Sequence, residues 1–214
     1  MKTILCYGDS NTWGAPIIHA LNERLPRYPY GERWTGVLRA NLGAEFLVLE
    51  EGLSGRTTVH DDPIEGVHKN GKTYLTPCLE THKPLEAVVL MLGTNDLKHR
   101  FALTPFDIAA GAGELVRMIL TSAAGPEGRA PKVLLVCPPP ILEVGVLADM
   151  FAGGAEKSRH LSSFYRQFAH MYRVGFLDAG TVIESSLGDG IHFELDQHAK
   201  LGAAIADAVR GLFA

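Results

Sequence analysis

Cysteine is scarce in this chain: Cys6, Cys78 and Cys137 are the three among 214 residues, odd in number and far apart. That argues against both a disulfide framework and a zinc site. Cys6 and Cys137 stand inside apolar runs, where a thiol packs as a small hydrophobe. Positive charge is not in excess either. The 20 Lys and Arg are scattered and the net charge is −4 with histidine neutral. No basic stripe attracts phosphate backbones or anionic lipid, so nucleic acid is not an expected partner. No apolar run approaches the roughly 20 residues of a membrane span. Ile4-Leu5-Cys6-Tyr7, ahead of Gly8-Asp9, is too short for the core of a signal peptide. The expectation is a cytoplasmic protein with no membrane partner.

With 46% hydrophobic and 21% charged residues, the composition is that of an ordinary globular protein rather than a disordered or fibrous one. No internal repeat, low-complexity tract or linker interrupts it, and the length suits one domain spanning 1–214. Five short apolar runs, Thr3–Tyr7, Phe46–Leu49, Ala87–Leu92, Val133–Cys137 and the weaker Val174–Leu177, end in or near Gly, Pro, Asp or Asn. Continuous rather than alternating hydrophobicity is what parallel strands buried on both faces require. Between them, Ile108, Ala112, Leu115 and Ile119 recur at helical spacing, as do Leu201, Ile205, Ala208 and Leu212. Leu161, Phe164, Tyr165, Phe168 and Tyr172 make a third stripe. Strands alternating with helices predict an α/β fold: a three-layer, doubly wound sandwich around a five-stranded parallel sheet, flavodoxin-like in plan. Two long connections, Ala15–Tyr30 and Pro138–Gly154, each carry three prolines and read as lids, binding loops or contact surfaces. These loops, with the apolar stretch Ile141–Phe151, suggest a homo-oligomer.

In such a sheet, ligands bind beyond the carboxyl ends of the strands. There this sequence reads Gly8-Asp9-Ser10-Asn11 after strand one and Gly52-Leu53-Ser54-Gly55-Arg56 after strand two. Strand three runs into Gly93-Thr94-Asn95-Asp96, and Asp189-Gly190-Ile191-His192 follows strand five. Acyl transfer through a covalent intermediate needs a hydroxyl, a base, an orienting carboxylate and donors for the oxyanion. Ser10 on a tight turn is the candidate nucleophile and His192 the base, since imidazole titrates near neutral pH. Asp189, three residues earlier across a glycine, is placed to hold the imidazole. The Ser10 N–H, the Gly52 N–H and the Asn95 amide are the candidate oxyanion donors. Trp13, Leu53, Ile191 and Phe193 adjoin these blocks and are candidates to line a substrate pocket or, equally, to pack the core. Each residue has a plainer role open to it: Gly-Asp-Ser as a turn, Asp9 or Asn95-Asp96 as helix caps, His192 as a half-buried histidine.

Four ordered blocks of this kind resemble the SGNH, or GDSL-type, hydrolase family. Glu51-Gly52-Leu53-Ser54-Gly55-Arg56-Thr57-Thr58 and Met91-Leu92-Gly93-Thr94-Asn95-Asp96 are most similar to its bacterial arylesterase and acyltransferase branch. The resemblance implies a Ser10–His192–Asp189 triad with Ser10, Gly52 and Asn95 as oxyanion donors. It further implies a serine esterase acting on short-chain acyl esters, with water or an alcohol as acceptor and no cofactor or metal. The chain departs from the family pattern at Asn11, where leucine is usual, and at Glu50, where asparagine is common. Three other readings compete. One is a carbohydrate acetylesterase on the same triad. Another is a flavin- or nucleotide-binding module of flavodoxin-like fold, although Gly-x-Gly-x-x-Gly and P-loop patterns are missing. The last is a metal-dependent hydrolase using His60-Asp61-Asp62 with Asp189 and His192, for which the spacing gives no support.

Overall fold

A computed structural model describes all 214 residues. Five strands, β1 (Lys2–Gly8), β2 (Phe46–Gly52), β3 (Ala87–Met91), β4 (Lys132–Cys137) and β5 (Gly175–Asp178), form one sheet. All pair parallel in the order β2-β1-β3-β4-β5. The five apolar runs are thus the five strands, four of them within one residue of their expected ends and β2 running three residues past Leu49. Seven helices accompany them: α1 (Ser10–Trp13), α2 (Trp34–Leu42), α3 (Gly71–His82), α4 (Pro105–Leu120), α5 (Gly154–Ser158), α6 (Leu161–Tyr172) and α7 (Leu195–Gly211).

Successive strand residues point to opposite faces, so each strand contributes to two cores. Leu5 and Tyr7 of β1 join Leu75, Leu79, Ile108, Leu115, Leu161 and Tyr165 from α3, α4 and α6 on one face. Ile4 and Cys6 join Trp34, Leu38, Leu201, Ile205 and Val209 from α2 and α7 on the other. The stripe on α4 is buried throughout its length, and the helix is opened by a capping box of Thr104 with Asp107 and by Pro105. Such a cap is worth about 1 kcal/mol. The stripe on α7 is carried by Leu201, Ile205 and Val209; Ala208 is half-buried and Leu212 lies just past the helix end. No helix is long and apolar enough to cross a membrane.

The chain direction reverses across the sheet between β1 and β3, since β2 lies on one side of β1 and β4 beyond β3. A crevice opens at such a switch point, because consecutive connections leave for opposite faces. Ser10 and Asn95 follow the two strands that flank it. The stretch Ile141–Phe151, expected to offer surface for self-association, is turned inward in part, while Leu142, Val144, Val146 and Met150 stay half-buried. Ile141, Leu147 and Phe151 are buried, turned inward to the core and to the crevice.

Candidate active site

β1 delivers the chain to Asp9, which caps α1 by accepting a hydrogen bond from the Asn11 N–H at 3.0 Å. Ser10 is the first residue of that short helix, where N–H groups have no acceptor within the helix. Its hydroxyl lies 3.1 Å from His192 Nε2, and His192 Nδ1 lies 2.6 Å from Asp189 Oδ2. Asp189 Oδ1 also accepts the N–H groups of Ile191 and His192, both at 2.9 Å, and Oδ2 accepts that of Ile18 at 3.0 Å. The three-residue spacing works because Gly190 has φ +80°, a left-handed conformation, and packs where a Cβ would lie 2.1 Å from the Leu142 carbonyl oxygen. Burial is the largest influence on the Asp189 carboxyl and would raise its pKa. The hydrogen bond and charge of His192, with the two backbone N–H groups, outweigh it and bring the pKa down to about 2. Asp189 is therefore a buried carboxylate, ionised at neutral pH, holding an imidazole.

Ser10 and His192 open onto a cavity of 490 Å³ that Asn95 and Gly55 also line. Asn95 Nδ2 donates to the Arg56 carbonyl at 3.2 Å; a primary amide nitrogen carries two protons, so one is left for the cavity. Gly55 has φ +81° and its N–H makes no hydrogen bond within the chain. The segment is fixed from below by Asp96, whose carboxylate accepts the Thr58 N–H and hydroxyl at 2.9 and 2.5 Å. Asp96 thus ties the end of β3 to the loop after β2 rather than capping a long helix.

Gly52 requires a correction. It is the last residue of β2, and the Leu53 N–H beside it donates to the Gly8 carbonyl of β1. Alternation along a strand then turns the Gly52 N–H toward the open edge, because β2 is the outermost strand. Gly52 lines a second cavity instead, together with Leu53. Gly55, three residues on, lines the Ser10 cavity in its stead.

Of the expected lining residues, Trp13 and Ile191 border the Ser10 cavity. Leu53 does not, for the reason just given, and Phe193 does not because it is 1% exposed in the core, edge-on to His198 at 5.6 Å. The two long loops supply what adjacency in sequence missed. Ile18 and Leu25 come from the first, and Leu147, Met150 and Phe151 from the second. Lys98 also lines the cavity while nearly wholly buried, bonded to Glu65 and 3.6 Å from Asp62. The His60-Asp61-Asp62 run is not gathered with Asp189 and His192. Asp62 is paired with Arg100 at 2.8 Å and Asp61 accepts from Asn70.

Both departures from the family pattern have structural partners. Asn11 Nδ2 donates to the Ile191 carbonyl at 3.1 Å, linking the helix of Ser10 to the turn of His192. Glu50 pairs with Arg33 at 2.7 Å and Arg27 at 3.4 Å. Arg27 in turn donates to the Trp13 carbonyl and lies 5.0 Å from the centre of its ring, so Glu50 supports one wall of the cavity.

Residues 6–200 match the model of the GDSL-like lipase/acylhydrolase family. The chain belongs to this family. The family resemblance and the fold expected from the sequence are both borne out, and with them a place among the carboxylic ester hydrolases. The M. smegmatis aryl esterase is 46% identical over 99% of this chain and all of its own, with a TM-score of 0.94. Est24, a carbohydrate acetylesterase from Sinorhizobium meliloti, is 45% identical over the whole of both chains, with a TM-score of 0.93. A lipolytic G-D-S-L family protein from Veillonella parvula, at 17% identity over 98% of both chains and a TM-score of 0.66, shares the fold. No curated protein matches the chain.

Proposed function

We propose that this protein hydrolyses short-chain acyl esters of apolar or aryl alcohols through an acyl-enzyme on Ser10. The observation that carries the reading is the unbroken hydrogen-bonded chain from Ser10 through His192 to the ionised Asp189, opening onto a cavity. Ser10 Oγ attacks the ester carbonyl carbon while His192 Nε2 takes its proton, and ionised Asp189 stabilises the imidazolium so formed. The Ser10 N–H, the Gly55 N–H and Asn95 Nδ2 donate to the oxyanion of the tetrahedral intermediate. Collapse expels the alcohol, which takes the proton from His192. Water, or a second alcohol, then attacks the acyl-Ser10 carbonyl by the same steps reversed. Trp13, Ile18, Leu147, Phe151 and Ile191 make the walls largely apolar, which favours an apolar leaving group and an organic acceptor over water.

A carbohydrate acetylesterase is the second reading. Glu23, Arg24, Glu65 and Lys98 give the same cavity a polar side that suits sugar hydroxyls, and Est24 is described as such an enzyme. Three free, buried thiols and no disulfide suit a reducing, cytoplasmic compartment. Leu21 and Leu25, exposed at the cavity rim, support a homo-oligomer; sedimentation as a monomer at working concentration would remove that part.

Fluorophosphonate labelling of the native protein, followed by peptide mass spectrometry, tests the whole. Modification at Ser10 that disappears in Ser10→Ala is expected, with aryl acetates turned over faster than acetylated sugars. Labelling at another serine, or none, would overturn the triad. Faster turnover of acetylated sugars would transfer the reading to the carbohydrate class.

A further inference from the structure

One cluster of ligating side chains lies outside the Ser10 cavity and takes no part in the esterase chemistry. Glu51 near the end of β2, with Cys78 and His82 on α3, brings an oxygen, a sulfur and a nitrogen within 4.8 Å of one another. Cys78 and His82 are four residues apart and share one helix face, the spacing by which a helix offers two ligands to one ion. His82 Nε2 already lies 2.7 Å from Glu51 Oε1. Cys78 is a free thiol buried completely, whereas the side chains of His82 and Glu51 are about one-quarter and one-fifth exposed. The cluster therefore has a closed, sulfur-bearing floor and an open side. Glu51 also borders the second cavity, of 520 Å³, with Arg56 and Tyr74, across the Gly52–Arg56 segment from Ser10.

Thiolate, imidazole and carboxylate together are the donor set of zinc and its close relative cobalt, and three protein ligands leave a fourth tetrahedral position for water. We propose that Glu51, Cys78 and His82 form a binding site for a zinc-class divalent cation, separate from the esterase centre. On binding, the Cys78 thiol loses its proton to solvent and its sulfur bonds the ion. His82 donates the Nε2 lone pair with its proton on Nδ1, and Glu51 gives one carboxylate oxygen. Two anionic ligands neutralise the dication. Arg56, which donates to the Gly8 and Glu51 carbonyls and lies over Tyr7, then faces no bare positive charge. The ion joins α3 to the end of β2, four residues before Gly55, and so braces the segment that leads to the oxyanion donors.

Cobalt(II) chloride titrated into the intact protein is the direct test. The expected result is a thiolate-to-cobalt absorption band that saturates at one equivalent and is discharged by zinc. Cys78→Ser should abolish it. His82→Ala should weaken binding by at least the roughly 10–100-fold that loss of even an outer-shell partner costs. Ser10→Ala should bind as the native protein does, so failure of the esterase reading leaves this result untouched. Absence of the band in native protein, or its survival in Cys78→Ser, would overturn the proposal. Should Cys78→Ser not fold, undiminished affinity in folded His82→Ala would do the same.

Discussion

Asn95→Ala separates a catalytic from a structural role most cleanly. Asn95 is nearly buried, lines the Ser10 cavity, and commits one amide proton to the Arg56 carbonyl at 3.2 Å. Truncation has two consequences that register in different measurements. Loss of the hydrogen bond leaves that carbonyl with one partner fewer and costs about 1–3 kcal/mol of folding stability. Loss of the second proton removes an oxyanion donor, which lowers turnover by about 10²–10³, or roughly 2.7–4 kcal/mol of transition-state stabilisation at 1.36 kcal/mol per decade. The ground-state carbonyl gains little from that donor, so kcat should fall and KM should stay near its native value. Steady-state hydrolysis of an aryl acetate, beside urea denaturation of the same preparation, reads both. A folded variant with native kcat would refute the placement of Asn95 in the oxyanion site, and a rise in KM alone would make it a binding residue.

Asp9→Asn tests a buried charge. Burial raises the Asp9 carboxyl to about 6 from 3.8, against the opposing Asn11 N–H and His192. Between about pH 4 and 6 the unfolded chain ionises while folded Asp9 keeps its proton, so stability falls as pH rises through that window. The loss is about 3 kcal/mol. The variant should therefore gain on the native protein by about this amount between pH 4 and 7, and a pH-independent difference in urea denaturation would contradict it. Asn11→Leu removes the link from α1 to the Ile191 carbonyl together with a buried, unpartnered Oδ1. It should lower kcat with little change in stability, since both changes in polar contact nearly cancel; equal kcat would show that the link does not position His192. Phe193→Ala should cost about 3–5 kcal/mol in stability and leave KM unchanged, because the ring fills the core and not the cavity. A raised KM in the folded variant would reverse that assignment.

The strands were legible because a parallel sheet covered on both faces forces five continuous apolar runs. Ser10, Asn95, Asp189 and His192 were legible for a related reason: the switch point of such a sheet collects the residues that follow particular strands, so chain order implies proximity. Gly52 and Gly55 show where that logic stops. Both follow the same strand in one glycine-rich turn. Which N–H faces the nucleophile depends on where β2 ends and on alternation along an edge strand, a matter of one or two residues. Phe193 and Leu53 failed similarly, since adjacency to a catalytic residue says nothing about which way a side chain turns. The cavity walls from Ile18, Leu147 and Phe151 were illegible by side chain, although their loops stood out by length and proline content.

Asp96 shows why the site is built of buried polar groups at all. Its carboxylate has lost its hydration, and burial raises its pKa. An apolar residue there would avoid that penalty but could not hold Thr58 by both N–H and hydroxyl. Thr58 lies three residues beyond Gly55, on a loop outside the sheet that is bridged only at Thr57 to Asn70, while Asn95 beside Asp96 bonds to Arg56 of the same loop. Two successive residues after β3 therefore fix the loop after β2 at two points on either side of Thr57. Donors aimed at a developing charge act only if their positions are set before the charge appears, because a donor that must move into place dissipates its advantage in reorganisation. A buried, fully engaged carboxylate at a strand end supplies that rigidity. Asp96→Ala should accordingly lower kcat although Asp96 touches no substrate, and Asp96→Asn, which can still accept from the Thr58 N–H, should restore part of it. Equal activity in the two variants would refute a positioning role.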